Sequence, residues 1–389
     1  MPKQRILFLM PSLVEGGAER VLINLLKAFD YSLYDVELCV VLKKGVYFDE
    51  IPSQVKVITL LKSEFLCRVL TFLYKKFNFQ LVFRLLARFK IKSRYEAGVS
   101  FLDSSFTDIL FFLNDRIERK ITWVHSSYKS YSNFNKFYQG NYKSRIIANR
   151  YSRLDTIIFV SDDSMQEFIE VFGSYPDMRV LYNILGVKTL LAKADQPMNE
   201  PFNKNIANII AMGSLFPVKG YDKLIYAARM LKEDNLKFKI RILGSGYLKD
   251  ALLDLINKEG LNDYVELLGF KHNPYPYLKG SDIFVMTSVS EALPTALCEA
   301  MILGLPTVVT DCSGCREIVG SGEFGVMTPL SEAGIYQGLK EIINNPDRKA
   351  YFKKKSLERS ALFNDDQILK QVYEILNNNI GSTTNPVGN

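Results

Sequence analysis

Short apolar, β-branched runs alternate with stretches of helical periodicity along almost the whole chain, and the alternation lapses once before it restarts. Runs at 5–10, 36–42, 56–60, 97–102, 120–124, 156–160 and 179–181 are too short for stable helices and predict strands. Between them, residues 18–29 set Val21, Leu22, Leu25, Leu26 and Phe29 on one helical face. Further helices are expected at about 65–89, 107–113, 143–153 and 163–172. Residues 183–205, with Pro197, Pro201 and several Asn, lose the periodicity and read as a linker. Strands then recur at 206–212, 238–243, 265–268, 283–287 and 307–310, again separated by helices. Strand–helix alternation implies parallel sheets covered on both faces. The expected fold is therefore α/β, with two doubly wound, Rossmann-like parallel-sheet domains. They span 1–183 and 206–362, are joined by a linker over 184–205, and face a central cleft. A C-terminal helix at 363–380 is expected to pack back on the first domain, and a polar tail at 381–389 to be disordered. In open α/β sheets, ligands bind beyond the carboxyl ends of the strands.

Composition narrows the function classes. The chain of 389 residues is 48% hydrophobic and 23% charged, as in a packed globular protein. Its net charge is +7, and one segment holds the excess: from Lys62 to Arg94, nine basic residues face one acid, Glu64. Phe65, Leu66, Val69, Leu70, Leu73, Phe77 and Leu81 keep a helical period there. A basic amphipathic helix over about 65–90 fits an anionic membrane surface or lipid diphosphate, through Arg68, Lys75, Lys76, Arg84 and Arg88. A core-packed helix with a solvated outer face is the plain alternative. No nucleic-acid module accompanies the patch, so nucleic acid is not expected as a partner. Five cysteines at irregular spacing argue against a disulfide framework. Cys312-x-x-Cys315 lacks the second pair or nearby histidines that a zinc site needs, and no metal is expected. No apolar run reaches membrane-span length. Lys3 and Arg5 before an apolar run mimic a secretory signal, but Pro11, Glu15 and Arg20 spoil it, and a first strand is the better reading.

Three segments carry candidate chemistry. Glu291-Ala-Leu-Pro-Thr-Ala-Leu-Cys-Glu299 follows a predicted strand and opens a helix, with Pro294 and Thr295 at its start. Loop amides around Leu293 lie near a positive helix end, suited to an anion. Two carboxylates beside such a nest suit a ligand with hydroxyls and phosphates, although acids decorating a helix N-terminus would look the same. Gly213-Ser214-Leu-Phe-Pro-Val-Lys219-Gly220 likewise links a strand to a helix, the usual setting of a phosphate-binding turn. Gly16-Gly17-Ala-Glu-Arg20 follows strand one, where glycines let the backbone approach a ligand, or simply turn. His125 ends a strand as Trp-Val-His, and His272 reads as a rim residue. Gly244-Ser-Gly246 lacks the third glycine of a dinucleotide fingerprint and reads as scaffold.

Together these segments resemble the retaining GT-B glycosyltransferases of family four, the type that builds capsule, lipopolysaccharide and lipid-linked oligosaccharide. The likeness lies in Glu291, seven intervening residues, Glu299-Ala300, then Gly304-x-Pro306, Thr310-Asp311, Gly314 and Glu317. It implies that Glu299 holds the donor ribose, that Glu291 contacts the donor sugar through a loop including Ala292 and Leu293, and that Lys219 neutralises the diphosphate. It also implies that His125 reaches the donor sugar and the reaction centre, that Gly16 and Gly17 approach the donor phosphates or the reaction centre, that Gly213 belongs to the donor-binding turn, and that the Gly244 turn lies below the nucleotide. Two positions depart from the pattern. Ala292 stands where Gly is usual, and Ser214 stands where an Arg is expected, leaving Arg316 or Arg20 as substitute cations.

The expected reaction moves a hexose or N-acetylhexosamine from a nucleotide sugar, a UDP-sugar by preference, to a saccharide on undecaprenyl diphosphate. Configuration is retained by front-face attack, and neither cofactor nor metal is required. An epimerase or hydrolase of the same fold, or a non-catalytic nucleotide-sugar or lipid-binding partner of another transferase, are the alternatives. The expected location is the cytoplasmic face of the plasma membrane.

Overall fold

A computed structural model of the chain describes residues 2–128, 141–198 and 202–377, with side chains left aside at 141–145. The tail predicted to be disordered lies outside the described residues. The chain divides into two compact units. One comprises residues 1–123, 154–156 and 364–389, the other residues 124–153 and 157–363.

Among the described residues, thirteen strands form two sheets. The first contains β1 (Gln4–Met10), β2 (Tyr34–Leu42), β3 (Lys56–Leu61), β4 (Tyr95–Ser100), β5 (Ile117–Val124), β6 (Thr156–Phe159) and β7 (Met178–Val180). Its order is β3-β2-β1-β4-β5-β6-β7. The second holds β8 (Ala207–Met212), β9 (Phe238–Leu243), β10 (Val265–Gly269), β11 (Ile283–Met286), β12 (Thr307–Thr310) and β13 (Val326–Thr328), in the order β10-β9-β8-β11-β12-β13. The pairings β8–β9, β8–β11, β11–β12 and β12–β13 are all parallel. Numbered from its own first strand, the second sheet runs 3-2-1-4-5-6, the doubly wound order. The strand order reverses between β8 and β11. The two α/β sheets predicted from the alternation are thus present.

Burial follows the expected periods. The helix Gly17–Ala28 buries Val21, Leu22, Ile23, Leu25 and Leu26. In the second unit, Ile240 and Ile242 of β9 share a core with Leu224, Ala227, Ala228 and Leu231 from the helix Tyr221–Glu233. In the first unit, the helix Asp365–Leu376 stacks Tyr373 on Tyr34, with ring centroids 4.9 Å apart, and Arg119 donates to the Leu376 carbonyl at 3.3 Å. All five cysteines are free and buried.

Two expectations need correction. The basic stretch is two helices, Glu64–Phe77 and Leu81–Lys90, not one over 65–90. Asn78 ends the first in the left-handed conformation at φ 53°, and its amide closes on the Leu73 carbonyl. Asn tolerates that conformation better than other side chains, so it stops a helix that the apolar period alone would continue. Only Cys67, Leu70, Tyr74, Phe83 and Ala87 of the pair are buried. Phe65, Phe72, Phe77, Leu81, Leu85 and Phe89 are all more than half exposed. The 184–205 linker also carries structure, the helix Val187–Ala194, whose Leu190 and Ala194 are buried.

Candidate active site

The loops that leave β8 and β11 flank the point where the second sheet reverses its order, and both carry predicted site residues. After β8 the chain turns through Gly213, where it meets a second glycine turn. A Cβ on Gly244 (φ +147°) would lie 1.9 Å from the Gly213 carbonyl oxygen, and one on Gly246 2.5 Å from that of Leu215. The Leu215 amide donates to the Ser245 carbonyl at 2.8 Å. Gly244 is therefore a support for the first loop, because only glycine lets the two backbones approach so closely. Phe216 and Tyr247, on the same two loops, stack with centroids 5.1 Å apart and are exposed.

Lys219 ends this loop, and Gly220 (φ +61°) starts the next helix. A Cβ on Gly220 would sit 2.3 Å from the Thr287 carbonyl oxygen. The Thr287 hydroxyl donates to the Lys219 carbonyl at 2.7 Å, and the Val289 amide to the Val218 carbonyl at 2.8 Å. The two loops are thereby stitched together. Lys219 Nζ lies 2.6 Å from Glu291 Oε1, with only 19% and 12% of the two side chains exposed. Ser288 donates to the same oxygen at 2.6 Å. Burial alone would lower the lysine pKa, but the Glu291 carboxylate outweighs it, so Lys219 titrates above its ordinary value. The site thus holds a largely buried lysine–carboxylate pair.

Ala292 and Leu293 are buried, and Pro294 precedes the helix Thr295–Ile302 as its N-cap. Gly314 donates its amide to the Glu291 carbonyl at 3.0 Å. Side-chain room is missing there: a Cβ on Gly314 would be 2.6 Å from the Ala292 oxygen. Glu299 lies inside the helix at 7% exposure and accepts a hydrogen bond from the Tyr275 hydroxyl at 3.2 Å. Glu317 accepts from the Asp163 amide at 3.0 Å and from the Tyr182 hydroxyl at 2.8 Å. Burial raises its pKa, and these bonds work against that rise.

His125 follows β5 and is half-buried, and desolvation lowers its pKa to about 3, so the imidazole is neutral at physiological pH. In the first unit, Gly16 and Gly17 begin the helix Gly17–Ala28. The Glu19 carboxyl folds back so far that a Cβ on Gly16 would meet it at 2.2 Å. Burial raises Glu19 to about 7. Both candidate substitutes for the arginine missing at Ser214 are engaged. Arg316 pairs with Asp311 at 2.6 Å, and Arg20 pairs with Glu50 at 2.8 Å while lying over the Tyr47 ring. Among the basic-patch residues, Arg68 pairs with Glu64 and Arg88 with Asp115, while Lys76 lies over the Phe72 and Phe77 rings.

The structure joins Lys219, Glu291 and the Gly213, Gly220 and Gly244 turns within the second unit. Ser288, Tyr275 and three upstream residues, Ser127, Ser161 and Glu167, were not signalled by the sequence. Their partners lie 3 to 163 positions away with no shared spacing.

A family profile described as glycosyl transferases group 1 matches residues 193–359. The chain is 30% identical over 318 residues to an uncharacterised glycosyltransferase of Methanocaldococcus jannaschii, covering 71% of this chain and 76% of that relative. It is 28% identical over 388 residues to the N-acetylgalactosamine-N,N'-diacetylbacillosaminyl-diphospho-undecaprenol 4-alpha-N-acetylgalactosaminyltransferase of Campylobacter jejuni, covering 96% and 99% of the two chains. The fold matches that of Anabaena HepE, crystallised in complex with UDP and glucose, at TM-score 0.71 and 20% identity over 96% of this chain and 100% of that one. The architecture is GT-B.

Proposed function

The chain belongs to the group 1 glycosyl transferases, and from that starting point we propose that it is a retaining, metal-independent transferase. In this reading it moves a hexose or N-acetylhexosamine from a UDP-sugar to a saccharide carried on undecaprenyl diphosphate. The observation that carries the reading is the nearly dry Lys219–Glu291 pair at the switch point of the second sheet. The UDP and glucose in the HepE structure support the donor class, and the diphospho-undecaprenol in the name of the Campylobacter relative supports the acceptor class.

Breaking the bond between sugar C1 and the diphosphate develops negative charge on the leaving oxygen and positive charge on an oxocarbenium-like sugar. Lys219, ionised and shielded from water, stabilises the first charge more strongly than an exposed lysine would. Glu291 lies against the second and orients the sugar hydroxyls. Its Oε1 holds Lys219 and Ser288, and the reading takes front-face attack in place of a covalent glycosyl intermediate. In that step the acceptor oxygen bonds to C1 as the C1–phosphate bond breaks, and the acceptor proton passes to the departing phosphate oxygen. Neutral His125 contributes a hydrogen bond without adding positive charge beside the oxocarbenium. Glu299 binds the donor ribose.

The exposed Phe65, Phe72, Phe77, Leu85 and Phe89, interleaved with Arg68, Lys75, Lys76 and Arg84, support docking on an anionic membrane at its cytoplasmic face. No helix among the described residues is long and apolar enough to cross a membrane.

Incubating the protein with UDP- and GDP-sugars and a membrane lipid extract tests the reading. Label is expected to pass from a UDP-sugar into lipid without added metal, with the donor's anomeric configuration kept. Lys219→Ala is expected to lower kcat on the order of 100-fold. Donor turnover without acceptor would instead mark an epimerase or hydrolase, and donor binding without turnover a non-catalytic partner. Unchanged transfer by Glu291→Ala would remove the site assignment.

A further inference from the structure

The Glu291 loop is held from two sides. On one side lies its own sheet: the Thr310 hydroxyl donates to the Ser288 carbonyl at 2.6 Å, and the 218–220 turn clasps residues 287–289. On the other side stand residues far upstream in the sequence. The Ser290 hydroxyl donates to Ser127 Oγ at 3.0 Å, and the Ser127 hydroxyl donates to Glu167 Oε2 at 2.5 Å. All three residues are less than a tenth exposed. Fully buried Ser161 donates to the Ala292 carbonyl at 2.6 Å while accepting the Ser164 amide at 3.1 Å as N-cap of the helix Asp162–Phe172.

A row of hydroxyls that ends on a carboxylate has one direction. Each hydroxyl must donate toward Glu167, and the charge at the end strengthens and polarises the bonds before it. Residues 290 and 292 are thereby pinned by separate anchors, and the residue between them is the one whose carboxylate meets Lys219.

We propose that Ser127, Glu167 and Ser161 are positioning residues for the Glu291 carboxylate, acting through the Ser290 hydroxyl and the Ala292 carbonyl. The inference rests on the reading of Glu291 as the group that faces the donor sugar. Ser127 lies two residues beyond His125, so the same row also ties the stretch after β5 to the donor loop.

Turnover of the full chain, with UDP-sugar and lipid acceptor, tests this by mutant cycles, with a thermal melt to establish that each variant folds. Ser127→Ala and Glu167→Leu are each expected to lower kcat about tenfold or more, since small misplacement of a positioned group is costly, with the donor KM changed less than about twofold. Glu167→Gln keeps an acceptor oxygen and is expected to recover most of that loss. Ser127→Ala and Ser290→Ala share one row, so the double variant is expected to be no worse than either single one. In a Glu291→Ala background, Ser127→Ala is expected to cost nothing further. A loss of equal size in that background would assign Ser127 a purely structural role and overturn the inference, as would unchanged kcat in both Ser127→Ala and Ser161→Ala. If Ser127→Ala does not fold, Ser161→Ala carries the same cycle from the separate anchor. Full activity of Glu291→Ala would sink the underlying site reading instead, a distinct result.

Discussion

A lysine that has shed most of its water gives up its proton more easily unless an opposite charge stands beside it. For Lys219 that partner is Glu291, whose attraction exceeds the cost of burial. Glu291→Gln removes the attraction and leaves the burial, so the lysine pKa falls. Residual turnover of that variant is expected to decline at a lower alkaline pH than in the parent enzyme, which a pH–rate profile reads directly. His125 gives the opposite kind of signature. With its pKa near 3 it stays neutral through the working range, so the parent profile is expected to show no limb near 6.5 from this residue. The unfolded chain binds a proton at this position below about 6.5, whereas the folded chain does so only near 3. Folding stability therefore falls as the pH drops from 6.5 toward 3, with no contribution above. His125→Asn is expected to flatten that acid limb in denaturant titrations. Lys219 and Glu291 were legible because each follows a strand and starts a helix in a short local pattern. Ser127 and Ser161 were not, since their partners are 163 and 131 residues away and a buried serine leaves no periodic mark.

At the scale of elements, apolar periodicity foretold the strands and most helices but could not foresee a stop that depends on backbone handedness. The 65–90 stretch shows the difference. Its period continues past Asn78, but the chain turns left-handed there and begins a second helix at Leu81. Periodicity also cannot say whether an apolar face has a partner, and here Phe65, Phe77 and Phe89 have 77%, 63% and 73% of their surface exposed. The triple change of these three to Ser is expected to weaken co-sedimentation with anionic vesicles, and to make what remains fully salt-sensitive, while leaving the melting temperature and turnover of a water-soluble acceptor analogue unaltered. Added salt is expected to weaken the parent's binding only in part, because charge is screened and apolar burial is not. Glycine at the Lys219–Gly220 turn is the opposite case, fixed by structure alone. Gly220→Ala forces a Cβ into the left-handed region and onto the Thr287 carbonyl. It is expected to cost at least about 1–2 kcal/mol of stability, measurable as a lower denaturation midpoint, and to spread the Lys219 and Glu291 loops.

For the molecule as a whole, the strand–helix rhythm was enough to give two parallel sheets, because crossover connections leave few other ways to bury both faces. It could not give where the units divide, with residues 124–153 grouped with 157–363 and not with the first 123. That boundary carries no local signal, whereas the C-terminal helix was expected on the first domain, and there Tyr373 stacks on Tyr34. The five thiols are distributed across this division, Cys39 and Cys67 in the first unit and Cys298, Cys312 and Cys315 in the second, all of them buried. Burial pushes Cys39 up to about 12 and raises Cys298 well above the usual thiol range. A thiol reagent therefore finds almost no nucleophile while the chain is closed. Pulsed alkylation followed by peptide mass analysis turns that silence into two clocks, each ticking only when its own unit opens.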